Sequence, residues 1–127
     1  MDQKLFDKGM EIRREVLGDA YVDRALAQMN GFNRPLQEMV TQYCWGALWG
    51  REGFSKRDRS VVNLAIIATL NRSHELKAHI KGAINNGLSK DEIAEILLQV
   101  GVYSGIPAAV DSFRTANEAF GEMDAEK

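Results

Sequence analysis

The chain has 127 residues, a net charge of −2, and 45% apolar and 27% charged residues. That leaves room for one domain with a continuous core and none for a separate cofactor-binding domain. The charge gives no footprint for nucleic acid or an anionic membrane, and the lone Cys44 excludes an intrachain disulfide and a Cys-x-x-Cys redox pair.

The start, Met1-Asp2-Gln3-Lys4, lacks the basic-then-apolar layout of a signal peptide. No apolar run approaches the roughly 20 residues of a membrane span. The most apolar stretch, Val61 to Leu70, is interrupted by Asn63 and Thr69. A cytoplasmic protein is the expected setting. β-branched residues do not alternate, and both prolines sit near helix starts, so the fold class expected is all-α.

About seven helices follow from the apolar spacing, as a single domain over residues 1–127. The first covers residues 3 to 17 (Leu5, Phe6, Met10, Ile12, Val16, Leu17) and stops at Gly18; the second runs from 20 to 30. Pro35 suits the first turn of a third, reaching Gly50 with Met39, Val40, Tyr43, Leu48 and Trp49 at helical spacing. Ser55 and Asp58 resemble a capping box for a fourth helix ending near Asn71. Its residues Val61, Val62, Leu64, Ala65, Ile66, Ile67, Ala68 and Leu70 are apolar nearly all round, which predicts the central, buried helix.

Ser73 is the expected cap of the fifth helix, which stops at Asn86-Gly87. Ser89 with Glu92 forms a capping box for the sixth, and Ile93, Ile96, Leu97 and Val100 give its buried stripe. Gly105-Ile106-Pro107 breaks the chain before a last helix over 107–121, and residues 122–127 read as a solvated tail. So many apolar residues on more than one face predict self-association.

Chemistry concentrates in Ser73-His74-Glu75-Leu76-Lys77-Ala78-His79, which holds both histidines. Glu75 and His79 are four apart and share a helix face. A carboxylate there raises the imidazole pKa and builds a proton donor and acceptor; the plainer reading is a surface pair. His74, at the helix start, is expected to face solvent. Arg51, Arg57, Arg59 and Arg72 are candidates for binding carboxylates. Their alternative is ordinary solvated charge, although Arg59 opposes the dipole of its helix. Trp45 and Trp49 share a face and suit packing better than a ligand platform. Cys44 is simplest as a small buried hydrophobe. The sequence offers no metal-ligand cluster, phosphate loop or other obvious nucleophile.

Taken in order, several motifs resemble the carboxymuconolactone decarboxylase family. They are Gly9-Met10-x-x-Arg13-Arg14-x-Val16-Leu17-Gly18, Tyr43-x-Trp45-Gly46-x-x-Trp49-x-Arg51, Arg57-x-Arg59-Ser60 and Glu75-Leu76-x-x-His79. Asn85-Asn86-Gly87-Leu88 with Glu92-Ile93, Leu97-Leu98-Gln99 and Tyr103-x-Gly105-x-Pro107-Ala108-Ala109 continue the series. The chain departs from the family pattern at Glu52, Phe54, His74, Lys81-Gly82 and Val110-Asp111.

The resemblance implies an alkylhydroperoxidase D-like all-α fold and a homo-oligomer, a hexameric ring or double trimer, or a trimer. It implies a carboxy-lyase that needs no cofactor and no metal, converting 4-carboxymuconolactone to 3-oxoadipate enol-lactone in protocatechuate degradation. Peroxidase relatives carry a Cys-x-x-Cys pair where Arg72 and Glu75 stand here, so their chemistry is not expected. His79 becomes the proton donor, Glu75 its orienting partner that keeps it protonated, and Arg51, Arg57, Arg59 and Arg72 the carboxylate and enolate ligands. Trp45, Trp49 and Tyr103 become candidate apolar walls. The alternatives are a family member acting on another lactone or small carboxylic acid, and a non-catalytic oligomeric binding protein.

Overall fold

The computed structural model describes all 127 residues, which form two units, Met1–Ser55 and Lys56–Lys127. In the first, the Asp2 side chain caps helix α1 (Gln3–Leu17) by accepting from the Leu5 N–H, and Gly18 ends it at φ 88°. Helix α2 (Asp19–Ala27) follows at once, held by Arg14 ion pairs to Asp19 (3.1 Å) and Asp23 (2.9 Å).

Helix α3 (Arg34–Met39) carries Pro35 in its first turn as expected but does not run on as an α-helix. From Val40 to Leu48 the backbone is π-helical. This wider coil turns pairs of residues inward: Thr41 with Gln42, then Trp45 with Gly46. Helix α1 lies along this segment with almost no space between the backbones. A Cβ added to Gly9 would stand 1.9 Å from the Thr41 carbonyl oxygen, and one on Gly46 would stand 2.6 Å from that of Leu5. Ile12, Val16, Trp45 and Trp49 form the core beside this contact.

The second unit consists of α4 (Lys56–Thr69), α5 (Ser73–Asn85), α6 (Lys90–Ser104) and α7 (Ile106–Ala125). Leu64, Leu76, Ile80, Ile93 and Leu97 fill its centre. Helix α7 offers this core a strip of small side chains (Ala108, Ser112, Ala116, Ala119), which lets it approach α5 and α6 closely. The α6 capping box is present as the sequence predicts.

Three expectations are corrected. Helix α4 is not buried all round: Ser60, Leu64 and Ala68 point inward, whereas Val62, Ile66 and Leu70 are exposed. Its partners α5, α6 and α7 cover only one face. Arg72, not Ser73, is the cap residue of α5, and no side chain caps that end. The tail is helical through Ala125, because Glu122 sits between Lys77 (2.8 Å) and Lys81 (2.9 Å) of α5. Those two lysines, Lys77 first, pull the Glu122 carboxyl down to about 2. No helix is long and apolar enough to cross a membrane.

Candidate active site

Helices α4 and α5 form an antiparallel hairpin whose tight turn is made at Asn71, in the left-handed region at φ 58°. Their polar contacts mirror one another about that residue. Asn63 meets His79 at mid-hairpin, and Asn86 Nδ2 reaches the Lys56 carbonyl (3.4 Å) and Ser60 Oγ (2.9 Å) at the open end. Register along the hairpin is therefore fixed, and with it the position of every candidate side chain on these two helices.

His79 is partly buried between the inward-facing Ala78 and Ile80, and its Nδ1 lies 3.3 Å from Asn63 Nδ2. Burial pushes the imidazole down to about 4, and the Glu75 carboxylate offsets only part of that. The expectation that Glu75 keeps His79 protonated is thus corrected. Glu75 is exposed, so water screens its charge, whereas desolvation acts on the ring directly. At neutral pH the ring is neutral.

Two arginines share the hairpin with this ring. Arg59, half-buried, precedes Asn63 by one turn of α4, and Arg72, exposed, stands seven residues before His79 at the turn. At a rise of about 1.5 Å per residue these offsets are about 6 Å to one side and about 10 Å to the other. Arg57 is already engaged by Glu92 of the α6 capping box. His74 is exposed, as expected.

Tyr103 stands on α6, 84% exposed. It walls an open groove of about 390 Å³ between α4 and α6 with Val62, Ile66 and Ile96, and His79 is not among the groove's walls. The remaining candidates belong to the first unit. Trp45 and Trp49 are buried there, their rings stacked at 5.0 Å. Cys44 is half-buried, and burial pushes its thiol up. Arg51 is exposed just after the π-helical segment.

Sequence reasoning missed two polar residues. Asn63 reads as an interruption of an apolar helix, and only the hairpin register sets it against His79. Arg13 is 5% exposed. Its Nη1 donates to Gln37 Oε1 (3.0 Å) and Thr41 Oγ1 (3.4 Å), and burial lowers its pKa. An arginine in the α1 stripe is indistinguishable in sequence from its solvated neighbour Arg14.

Residues 34–118 match the model of the carboxymuconolactone decarboxylase family. The chain belongs to this family. The matched stretch contains every candidate residue from Trp45 to Tyr103. The chain is 36% identical over 122 residues to the 4-carboxymuconolactone decarboxylase of Acinetobacter baylyi, covering 96% of this chain and 91% of that one. It is 37% identical over 123 residues to the nitrosuccinic acid decarboxylase of Metarhizium robertsii, covering 97% and 86%. A 4-carboxymuconolactone decarboxylase sequence of Pseudomonas putida is 53% identical over 47 residues, 36% of this chain and 98% of that one. The chain is an all-α enzyme of the decarboxylase kind, a carboxy-lyase acting on a small molecule.

Proposed function

We propose that the protein decarboxylates 4-carboxymuconolactone to 3-oxoadipate enol-lactone in protocatechuate degradation, as a cytoplasmic homo-oligomer, a hexamer or a trimer. The observation that carries this reading is the partly buried His79 ring on the same helical hairpin as Arg59 and Arg72, inside a chain related along nearly its whole length to a 4-carboxymuconolactone decarboxylase. The substrate's leaving carboxylate sits on the γ-carbon of an unsaturated lactone. As CO2 departs, its bonding electrons move through the ring to the lactone carbonyl and give a dienolate. The substrate is its own electron sink. The protein has to hold the dianion, stabilise the oxyanion and protonate the α-carbon.

His79 is assigned as the proton donor. Its neutral resting state couples charging to substrate binding: two carboxylates beside a desolvated imidazole raise its pKa, so the dianion arrives with a proton taken up at the ring. Glu75 contributes in the same direction. Arg59 and Arg72 are assigned to the carboxylate and enolate oxygens, with Arg57 as a further ligand; binding through Arg57 requires substrate to displace Glu92. Trp45 and Trp49 are buried in the first unit and Tyr103 lines a groove that His79 does not, so none of the three is assigned as a wall beside His79. Exposed Val62, Ile66, Val102, Ile106 and Val110 supply apolar surface for association.

The second relative favours one alternative. Nitrosuccinic acid also carries a carboxylate next to an electron sink, a nitro group in place of the lactone, so the same proton donor and cationic clamp serve either substrate. Loss of ultraviolet absorbance from 4-carboxymuconolactone, run beside CO2 release from nitrosuccinate, separates the two. The expected result is turnover of the lactone, with kcat lowered by about two to four powers of ten in His79→Ala. Near-normal turnover by that variant overturns the assignment of His79.

A further inference from the structure

We propose that the first unit carries a binding site for a small carboxylic acid. The site is the cavity whose polar wall is Gln37 and Thr41, and the buried guanidinium of Arg13 stands directly behind that wall. The cavity holds about 220 Å³ and is formed within Met1–Ser55 alone. Sites for drug-sized ligands run from about 300 Å³ upward, so the ligand here is small. Phe6, Leu26 and Met29 make one side of the cavity apolar. Arg34 and Glu38 also line it and contribute one charge of each sign. Arg13 therefore sets the balance.

Arg13 is 5% exposed, and a buried cation is costly unless an anion faces it. No carboxylate of the chain does so: the ionisable side chains close enough to act on it are Tyr21, Cys44 and the like-charged Arg14. Its hydrogen-bond partners are two neutral oxygens, Gln37 Oε1 (3.0 Å) and Thr41 Oγ1 (3.4 Å), both on Nη1, while Nε is enclosed without a partner. These bonds orient the wall. Gln37 commits its side-chain oxygen to Arg13, so the amide N–H groups are what it has left to offer. Thr41 donates its hydroxyl to the Gln37 carbonyl (2.8 Å). An amide donor backed by a desolvated cation is suited to a carboxylate. A single net positive charge matches a monoanion, and the apolar side matches a short hydrocarbon body. The proposal does not depend on the role given to His79.

The test titrates the 15N-labelled protein with benzoate, and with benzamide as its neutral isostere, followed by NMR. Benzoate is expected to shift the Gln37 side-chain amide and Arg13 Nε–H signals saturably, with half-saturation at about 1–10 mM. Benzamide is expected to bind about tenfold more weakly or worse. Gln37→Leu, followed at Arg13 Nε–H, should weaken benzoate about tenfold. Arg13→Met, followed at the Gln37 amide, should abolish binding. That variant strands neither neighbour, because Thr41 keeps its bond to the Gln37 carbonyl and Gln37 is half-buried. Its thermal midpoint without benzoate is therefore expected to be no lower than that of wild type. If Arg13→Met fails to fold, Gln37→Leu decides. No saturable shift up to about 50 mM benzoate overturns the proposal. Equal binding of benzamide, or unchanged benzoate affinity in a folded variant, overturns it as well.

Discussion

The neutral state of His79 can be measured through stability, without any substrate. In the fold the imidazole titrates at about 4, against 6.5 for the ordinary ring. At about 1.4 kcal/mol per pH unit that gap amounts to about 3 kcal/mol. Between those two values the unfolded chain binds the proton and the folded chain does not, so unfolding takes up a proton and acid favours it. His79's contribution is complete above 6.5, falls as the pH drops, and is fully lost below about 4. The perturbation is His79→Gln, which removes the titration and keeps a polar side chain facing Asn63. Urea unfolding at fixed protein concentration, from about pH 7 to about pH 4, gives wild type and variant their stabilities. Wild type should lose about 3 kcal/mol relative to the variant across that range. Glu122, whose carboxyl is held down to about 2, adds its own acid sensitivity to both proteins, and it cancels in the difference. A difference independent of pH would refute the claim that burial outweighs Glu75.

Two packing predictions accompany it. Gly9→Ala places a methyl group 1.9 Å from the Thr41 carbonyl oxygen; it must pry α1 from the π-helical segment, at about 3 kcal/mol. A thermal midpoint within about 2 °C of wild type would show that the contact yields easily. Glu92→Ala removes half of the α6 capping box and the exposed pair with Arg57. The expected loss is about 1 kcal/mol in urea unfolding, nearly all from the cap. Arg57→Ala, which deletes the pair alone, should change stability far less.

The departures from local reading have one cause: each depends on what covers a helix. Residues 61–70 are apolar enough to be central, yet α4 is covered on one face only, and nothing in its own residues says which. The π-helical stretch has the composition of an α-helix; the backbone of α1 pressed against Gly46 accompanies a widening that hydrophobic spacing does not encode. The ordered tail at Glu122 depends on two lysines more than forty residues away.

What the sequence by itself determined is the local and the repeated: an all-α chain, helix starts at Pro35 and Ser89, stops at Gly18 and Gly87, and the Glu75–His79 pair. Caps, glycine stops and i, i+4 neighbours act within one or two turns, so they are visible in a few consecutive residues. The tertiary structure decided the protonation and the partner of His79. Spacing brought a carboxylate near the imidazole and predicted a cation. Packing of α4 on α5 removed water from the ring and set Asn63 against Nδ1, and desolvation outweighs a single exposed charge.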